Sequence, residues 1–243
     1  MTRAELKQQA KDTLRGRWGI AIGMILIYEL ITVAISFLSG MVPVIGGIVS
    51  FIIVVPISFG FIGQMMKFSR NEEVGFFDFF KIGFSNFGKA WSIVGNTLIK
   101  FIGLIIVYVA LVASIIAVTA VAASNNEPAV MLLLIPIVIA IAVVVVLFVM
   151  KAFLYSLTEY IGNDELQLSG KDVVAKSAEV MDGRRFDFFV LGLSFIGWAI
   201  LASLTLGIGY LWLIPYMQVT EIKFYEDVCN KNSNNSDAVV TNE

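Results

Sequence analysis

Long apolar runs constrain the fold of this chain more than any other feature of its sequence. The hydrocarbon core of a bilayer is about 30 Å thick, so a crossing helix needs about 20 apolar residues. Six stretches of the 243-residue chain reach or approach that length. They are, in chain order, Trp18–Ser39, Pro43–Met66, Trp91–Ala123, Val130–Leu157, Phe186–Thr205 and Ile208–Thr220. We therefore expect an all-α, polytopic membrane protein with six transmembrane helices.

The composition excludes several other classes of protein. The chain is 58% hydrophobic and 15% charged, whereas soluble proteins are about 45–50% apolar and about 25% charged. A net charge of −2 provides no basic field for nucleic acid. With one cysteine and no histidine, the chain lacks a disulfide framework, the commonest metal ligand and the commonest general base. We predict no catalytic, cofactor-binding or metal-binding residue.

The basic residues predict the orientation of the spans. Of the 17 Lys and Arg residues, five precede the first span and five lie between the second span and the charge-free part of the third. Five more lie near the end of the fourth span or between it and the fifth, and two follow the sixth. The opposite loops, near Gly40, Asn125 and Gly207, contain none. By the positive-inside rule, both termini are expected to be cytoplasmic.

The spans are expected to form three helical hairpins, each preceded by a cytoplasmic interfacial helix. Two glycines in Thr205–Gly209 allow a tight reversal between the last two spans. A glycine, a cation and an aromatic residue lead into each hairpin, at Gly16–Trp18, Gly88–Trp91 and Gly183–Phe186. This recurrence indicates three parallel units, either as an internal repeat or as separately acquired interfacial anchors.

The interfacial helices have recognisable starts and faces. Thr2 with Glu5 has the spacing of a capping box, and Ser169 with Asp172 opens a similar segment. We predict helices over 3–15 and 172–182 that lie along the inner leaflet. Their apolar faces are expected to include Leu6, Leu14, Val174 and Met181, with Lys7, Lys11 and Lys176 toward water, and the middle segment is expected to present Phe76, Phe77, Phe80 and Phe84.

The chain is predicted to form one domain followed by a short tail. The six spans and their interfacial segments make a single transmembrane domain over 1–228. Residues 229–243 are polar and lack an apolar stripe, so a disordered cytoplasmic tail is expected.

The last third of the chain resembles a known family. The sequence contains a Leu-Ser-Phe-Ile-Gly-Trp run, a Thr-Leu-Gly-Ile-Gly turn, a Pro-Tyr pair and a closing Phe-Tyr-Glu, at 193–198, 205–209, 215–216 and 224–226. This pattern is similar to the bacterial membrane-protein family catalogued as Domain of Unknown Function 975, and segments 5–22 and 168–183 are similar to it as well. The valine run 143–146 departs from the family pattern. The resemblance implies a location in the bacterial cytoplasmic membrane and implies no activity.

Glu29 is the most unusual side chain of the predicted spans. It lies near the middle of the first span, where an unpaired carboxylate costs several kcal/mol. Glu29 is thirteen residues after Gly16, and Lys100 is twelve after Gly88, so equivalent units would place both at similar depth. We predict that Glu29 points into the bundle, within reach of Lys100 or of Asn96 and Thr97. Such a pair could stabilise the helices or mark an ion or substrate path.

Three functions remain open from the sequence. The favoured one is a non-enzymatic permease subunit, regulator or assembly factor that acts through membrane partners or lipids. A small transporter or channel would use the Glu29 and Lys100 pair, and a lipid-acting enzyme would need Glu159, Asp164 and Glu165 at the inner interface. The expected partners are the lipid bilayer and a membrane protein or second copy, and not nucleic acid. Small residues Ala110, Ala113, Ser114 and Ala117 in the third span predict close helix packing.

Overall fold

The chain is helical throughout the part that the structure describes. A computed structural model describes residues 1–42, 44–125 and 132–240. Within these ranges there are α-helices and no strands, which confirms the all-α prediction. The eleven helices are α1 Arg3–Leu14, α2 Trp18–Gly40, α3 Ile45–Ser69, α4 Asp78–Ser85, α5 Phe87–Asn125, α6 Leu134–Leu154, α7 Thr158–Asp164, α8 Gly170–Val180, α9 Arg185–Leu193, α10 Ile196–Leu204 and α11 Tyr210–Val240.

Five helical stretches of the described residues are long and apolar enough to cross a membrane. They are Trp18–Gly40, Ile45–Ser69, Phe87–Ser124, Leu134–Asp164 and Arg185–Leu204. These stretches correspond to the first five predicted spans. Several such stretches in one chain indicate a multi-pass membrane protein. The starts predicted at residues 43 and 130, and the loop around residue 127, lie outside the described residues.

The predicted sixth span is not among these stretches. Of its residues Ile208–Thr220, those from Tyr210 onward open α11, which continues beyond Thr220 into a polar segment. About eleven apolar residues extend only about 16 Å along a helix, about half of the hydrocarbon thickness. The backbone of α11 is helical through Val240, in the segment for which disorder is predicted.

Consecutive helices pack against each other in three groups that we call hairpins: α2 with α3, α5 with α6, and α9 and α10 with α11. In α2–α3, the rings of Tyr28 and Phe61 stack with centroids 4.1 Å apart. In α5–α6, the centroids of Phe101 and Phe148 are 4.7 Å apart. In the third hairpin, α9 and α10 run beside α11, and the paired residues are Arg184 with Asp227, Phe188 with Phe224, Phe195 with Tyr216, and Ser203 with Tyr210.

The turn of the third hairpin depends on glycine, as predicted. Leu206 and Gly207 both have positive φ, at 54° and 89°. At Gly209 a Cβ would lie 2.7 Å from the Cα of Ala202 on the facing helix. The Thr205 hydroxyl donates to the Ala202 carbonyl and accepts from the Gly209 N–H, which closes the turn.

Helices form in both segments that are predicted to be interfacial, as α1 and α8. Thr2 and Glu5 make the reciprocal bonds of a capping box, and the Ser169 hydroxyl accepts from the Asp172 N–H. The apolar faces are buried: they consist of Leu6, Ala10 and Leu14 in α1, and of Val173, Val174, Val180 and Met181 at α8.

Two lysines of α1 contact neighbouring helices, although Lys11 is exposed and Lys7 is only half-buried. The Lys7 Nζ donates to the Ser194 carbonyl at 3.1 Å and lies over the Phe195 ring. Lys11 lies over the ring of Tyr216. These cations reach the neighbouring hairpin because α1 packs along α11.

The middle unit differs from the other two. Gly16 and Gly183 have positive φ, of 75° and 72°, as expected for helix-ending glycines. In the middle unit the break between α4 and α5 falls at Asn86, and Gly88 lies inside α5. In this unit Phe79 and Gly83 are buried and Phe80 is half-buried, whereas Phe76, Phe77 and Phe84 of the predicted aromatic face are exposed.

A close backbone crossing determines which face of α4 is buried. A Cβ at Gly60 of α3 would overlap the carbonyl oxygen of Phe79 and lie 2.6 Å from the nitrogen of Gly83. A Cβ at Gly83 would overlap the carbonyl oxygen of Pro56. The two helices can therefore touch only where both lack side chains, and this places Phe79 in the core.

The buried core lies toward one end of the hairpins. On α2 the buried residues are Ala21, Met24 and Ile25, in its first third. On α3 nearly all of them lie beyond Pro56. The core continues through α1, α7, α8 and the middle of α11. Because the basic side chains Arg70, Lys176 and Arg184 surround this core, we call it the basic end.

We predict that the crossing of α3 and α4 tolerates no added methyl group. Gly60→Ala is expected to destabilise the protein by about 2 kcal/mol or more, because backbone atoms would have to separate. Gly103→Ala is the control, since nothing lies within 4 Å of a Cβ there, and it should change stability by at most about 1 kcal/mol. Thermal unfolding in lipid nanodiscs measures both variants, and equal effects would contradict the prediction.

Candidate functional site

The structure does not bring the predicted intramembrane pair together. The side chains of Glu29 and Lys100 are exposed, and neither makes an ion pair with any of the described residues. Asn96 and Thr97 are half-buried. Asn96 donates to the Ser92 carbonyl at 2.7 Å, and the buried Thr97 hydroxyl has no hydrogen-bond partner in the described chain. A functional role for these four residues stays a prediction.

Polar contacts instead concentrate around α7, a short helix that the sequence analysis did not predict. The helix is interrupted at residues 155–157, between α6 and α7. The hydroxyls of Ser156 and Thr158 each donate to a backbone carbonyl three residues earlier. Such local bonds compete with the helical ladder and bend it. The break allows α7 to present one face to α3 and another to α11.

The face of α7 toward α3 carries Glu159 and Asn163. The Asn163 amide donates to the backbone carbonyls of Phe59 and Glu159, both at 2.9 Å. Gly63 of α3 makes room for it, since a Cβ there would overlap the Asn163 amide oxygen. The amide thus fixes α7 against α3.

The face of α7 toward α11 carries Tyr160 and Asp164. Asp164 accepts two bonds from the Arg70 guanidinium, at 2.6 and 2.9 Å, and one from the Tyr225 hydroxyl at 2.9 Å. Arg70 also reaches Glu226 at 3.3 Å. The bond to Asp164 raises the pKa of Arg70 above its usual value, although partial burial opposes this. These contacts join the ends of α3 and α7 to α11.

Glu165 has its own set of partners. Its carboxylate pairs with Lys176 of α8 at 2.6 Å. Its backbone carbonyl and that of Leu168 accept bonds from Lys89. Of the three acids considered for a lipid-acting enzyme, Asp164 and Glu165 are therefore each neutralised by a different cation, and they do not form a reactive cluster.

Two half-buried glutamates near α7 have no cation partner among the described residues. Glu221 of α11 accepts a hydrogen bond from the Tyr160 hydroxyl at 3.0 Å. The carboxylate of Glu159 makes no hydrogen bond or ion pair in the part of the chain that the structure describes.

Sequence reasoning missed Tyr160 and Glu221 because both lie near the ends of apolar stretches. A signal was present: Gln218, Glu221 and Tyr225 share one face of α11 by their spacing. That face meets Tyr160 and Asp164. The pattern could be interpreted only once α7 was known to be separate from α6.

A polar cavity lies beside this region, between α3, α4 and α7. Its volume is about 380 Å³. Lys67, Lys81 and Arg70 lie in its wall, together with Glu72 and Asp78. The mixed charges favour no single class of ligand. Among the described residues, no group of three or more Cys, Asp or Glu side chains could hold a metal ion.

Asp227 ties α1 and α9 to α11. It accepts bonds from the Met1 amino group at 2.8 Å and from Arg184 at 3.0 Å, and it pairs with Lys231 at 3.2 Å. Burial alone would raise the pKa of Asp227, but the bonds from the amino group and Lys231 lower it overall. The ionised form therefore stabilises the fold.

We predict that Asp227 contributes to stability above about pH 4 and not in strong acid. A lowered carboxyl pKa adds stability above the unfolded value of about 3.9, and this contribution is lost as pH falls through the folded value. Asp227→Asn should cost about 2 kcal/mol at neutral pH. The difference from the wild type should shrink below about pH 3. A cost that is independent of pH in thermal unfolding would contradict this.

The comparisons with known proteins give a family and no activity. No curated protein and no solved structure matches the chain. The profile of one family, described as "Protein of unknown function (DUF975)", matches residues 1–232. This range includes all the helices that surround the basic end and confirms the resemblance inferred from the sequence. The chain belongs to the DUF975 family of proteins of unknown function.

Proposed function

We propose that this membrane protein is non-enzymatic and acts through a protein partner within the membrane, as a permease subunit, regulator or assembly factor. The proposal rests on the α5–α6 hairpin, most of which extends away from the other helices. Beyond Phe101, the buried residues of this hairpin are Ala122 and Val144 among those described. The hairpin meets the rest of the chain near its basic end, so most of its surface is free for lipid or another helix.

The face of α5 opposite α6 suits a helix–helix contact. Ala110, Ala113, Ala117 and Ala120 are all exposed, and their spacing puts them on one side of the helix. Small residues allow two helices to approach closely in a membrane, where van der Waals packing drives association. Three of these alanines are among the small residues from which close packing is predicted.

The alternative functions receive less support from the contacts. The enzyme hypothesis needs clustered acids, and Asp164 and Glu165 are paired separately. The transporter hypothesis rests on Glu29 and Lys100, which do not meet. A partner-dependent role requires neither arrangement.

A photo-crosslinking residue at Ala113 tests the proposal in native membranes. We expect a discrete adduct with one protein, either a partner or a second copy. Combining the probe with Ala110→Leu and Ala117→Leu should reduce the yield at least tenfold, because bulky side chains separate the helices.

Ile105→Leu is the matched control, since Ile105 is exposed on α5 outside the alanine face, and it should leave the adduct unchanged. Adducts with lipid alone would contradict a protein partner. Equal losses from the control and the paired variants would contradict the assigned face.

We further propose six crossings in a bacterial cytoplasmic membrane, with both termini cytoplasmic. The distribution of the basic residues supports this orientation. The antiparallel pairing of the third hairpin supports the sixth crossing. From Tyr210 to Asp227, α11 rises about 26 Å, nearly the length of α9 and α10 beside it. The second half of α11 is too polar to be counted among the apolar stretches. Its side chains Ile222, Phe224 and Tyr225 are buried within the protein.

Cysteine labelling tests this topology in a Cys229→Ser background. Leu206→Cys and Asn125→Cys should react with an impermeant reagent from outside, and Lys81→Cys only after permeabilisation. Labelling of position 125 only from inside would overturn the orientation. Protection of position 206 from the outside reagent, with position 125 reactive, would instead leave five crossings.

A further inference from the structure

The basic side chains of the first segment form one stripe without carboxylate partners. Four cations recur at every fourth position, a spacing that places them on one side of α1 and its end: Arg3, Lys7, Lys11 and Arg15. None of them pairs with a carboxylate in the part of the chain that the structure describes. The two acids of α1 bond within the segment, since Glu5 closes the capping box and Asp12 accepts from Gln8. The stripe therefore has no counter-charge from the described chain.

The positive charges of this stripe act on one another. Burial lowers the pKa of Lys7, and the nearby charges of Lys11 and Arg3 lower it further. The Lys7 Nζ contacts the Ser194 carbonyl and the Phe195 ring, which are both neutral groups. Like charges on successive turns destabilise a helix. An anion placed against the stripe would therefore stabilise it.

A groove lies beside the stripe, between the start of α2 and the third hairpin. Its volume is about 410 Å³. At one end the Lys11 Nζ lies 5.7 Å from the centre of the Tyr216 ring. At the other end are Thr205 and Gly209, beside the turn of the hairpin. From Gly209 to Tyr216 the helix rises about 10 Å, so the groove is elongated, with its only lysine at one end.

Three tryptophans line this groove: Trp18, Trp198 and Trp212. Trp198 and Trp212 are 57% and 50% exposed, although both are large aromatic side chains. Their indole N–H groups and the Tyr216 hydroxyl make no hydrogen bond to any described residue. An indole offers an apolar ring and one donor, and it has no acceptor. The walls thus combine apolar surface with unused donors, and no Asp or Glu is among the described residues that line them.

We propose that this groove binds one anionic phospholipid, with the phosphate against Lys11 and part of an acyl chain along the tryptophans. The headgroup supplies the counter-charge that α1 lacks, and its oxygens accept bonds from the donors of the wall. The apolar rings cover the hydrocarbon. About 10 Å is about two-thirds of the depth of one leaflet, so the rest of the chain continues into the bilayer.

Other occupants satisfy only part of the groove. Inorganic phosphate would neutralise Lys11 and leave the apolar walls uncovered. A zwitterionic lipid would bring a cation of its own to the stripe, where like charges repel. An apolar helix of another protein would cover the tryptophans and leave the lysine without a counter-charge. An anionic lipid meets both requirements.

Native mass spectrometry of the full chain in mild detergent tests the site. The probes are phosphatidylglycerol and phosphatidylcholine with identical acyl chains, added at equal concentration. We expect one phosphatidylglycerol to be retained per chain, with an affinity about fivefold or more above that of phosphatidylcholine. Inorganic phosphate should not displace it, because phosphate cannot cover the apolar walls. Displacement by phosphate alone would contradict binding of the acyl chain.

Two substitutions of lysine test the charged end. Lys11→Gln keeps the length of the side chain and should remove most of the preference for phosphatidylglycerol. Lys11→Arg should retain the preference, because a guanidinium also binds phosphate. Lys171→Gln is the matched control, since Lys171 is an exposed lysine of α8 without an ion pair among the described residues. It makes the same change in net charge and should leave the preference intact.

Two substitutions on α10 test the apolar part. Leu201 lines the groove, and its neighbour Ile200 does not. Both side chains are more than half exposed, so neither change disturbs the core. Leu201→Trp should weaken retention of phosphatidylglycerol about fivefold, because the larger ring occupies space that the acyl chain needs. Ile200→Trp is the matched control and should bind as the wild type does.

Three further outcomes would overturn the proposal. Equal affinity for the two lipids would exclude selection by charge. Equal effects of Lys11→Gln and Lys171→Gln would show that overall charge attracts the lipid and that the groove does not. A second copy of the chain in place of lipid, lost in Leu201→Trp, would make the groove a protein interface. These measurements do not involve the alanine face of α5, so they are independent of the proposed partner contact.

Discussion

The cost of charge in apolar surroundings determines how this protein is built. A carboxylate or a cation loses several kcal/mol when it leaves water unless a partner compensates it. The long helices therefore carry few charges, and most charged side chains meet at the basic end. There Arg70, Asp164 and Glu226 join three helices, and Asp227 joins α1 and α9 to α11. The ion pairs fix the positions of the hairpins relative to one another, which the apolar surfaces alone do not determine.

Packing at the basic end requires close backbone contact as well as charge. Gly60 and Gly83 let α3 and α4 touch, and Gly63 makes room for the Asn163 amide that holds α7. Away from this end the helices of α5–α6 contact mainly each other. The protein thus consists of one ordered, polar end and apolar hairpins that extend from it, and these two parts can serve different purposes.

Features that depend on local sequence were predictable. The apolar runs predict five of the helical stretches, and the Thr2–Glu5 capping box and the turn at Gly207 form as expected. Features that depend on contacts between distant helices were not. The sequence shows that Phe79 and Phe80 are adjacent aromatic residues, but only the glycine crossing determines that Phe79 is buried. Likewise, the start of α7 could not be predicted, because no proline or glycine separates it from α6. The helix ends there because side-chain hydroxyls form hydrogen bonds with the backbone.

The contrast between Glu29 and Asp164 shows why position in the sequence is a weak guide to the partners of a carboxylate. Glu29 lies in the middle of an apolar stretch, yet its side chain is exposed and makes no ion pair among the described residues. Asp164 ends another helical stretch, where sequence alone allows it to reach water, yet the break before α7 directs it to Arg70 and Tyr225. Contacts between distant helices determine which groups surround a carboxylate, and the position of that carboxylate in an apolar run does not.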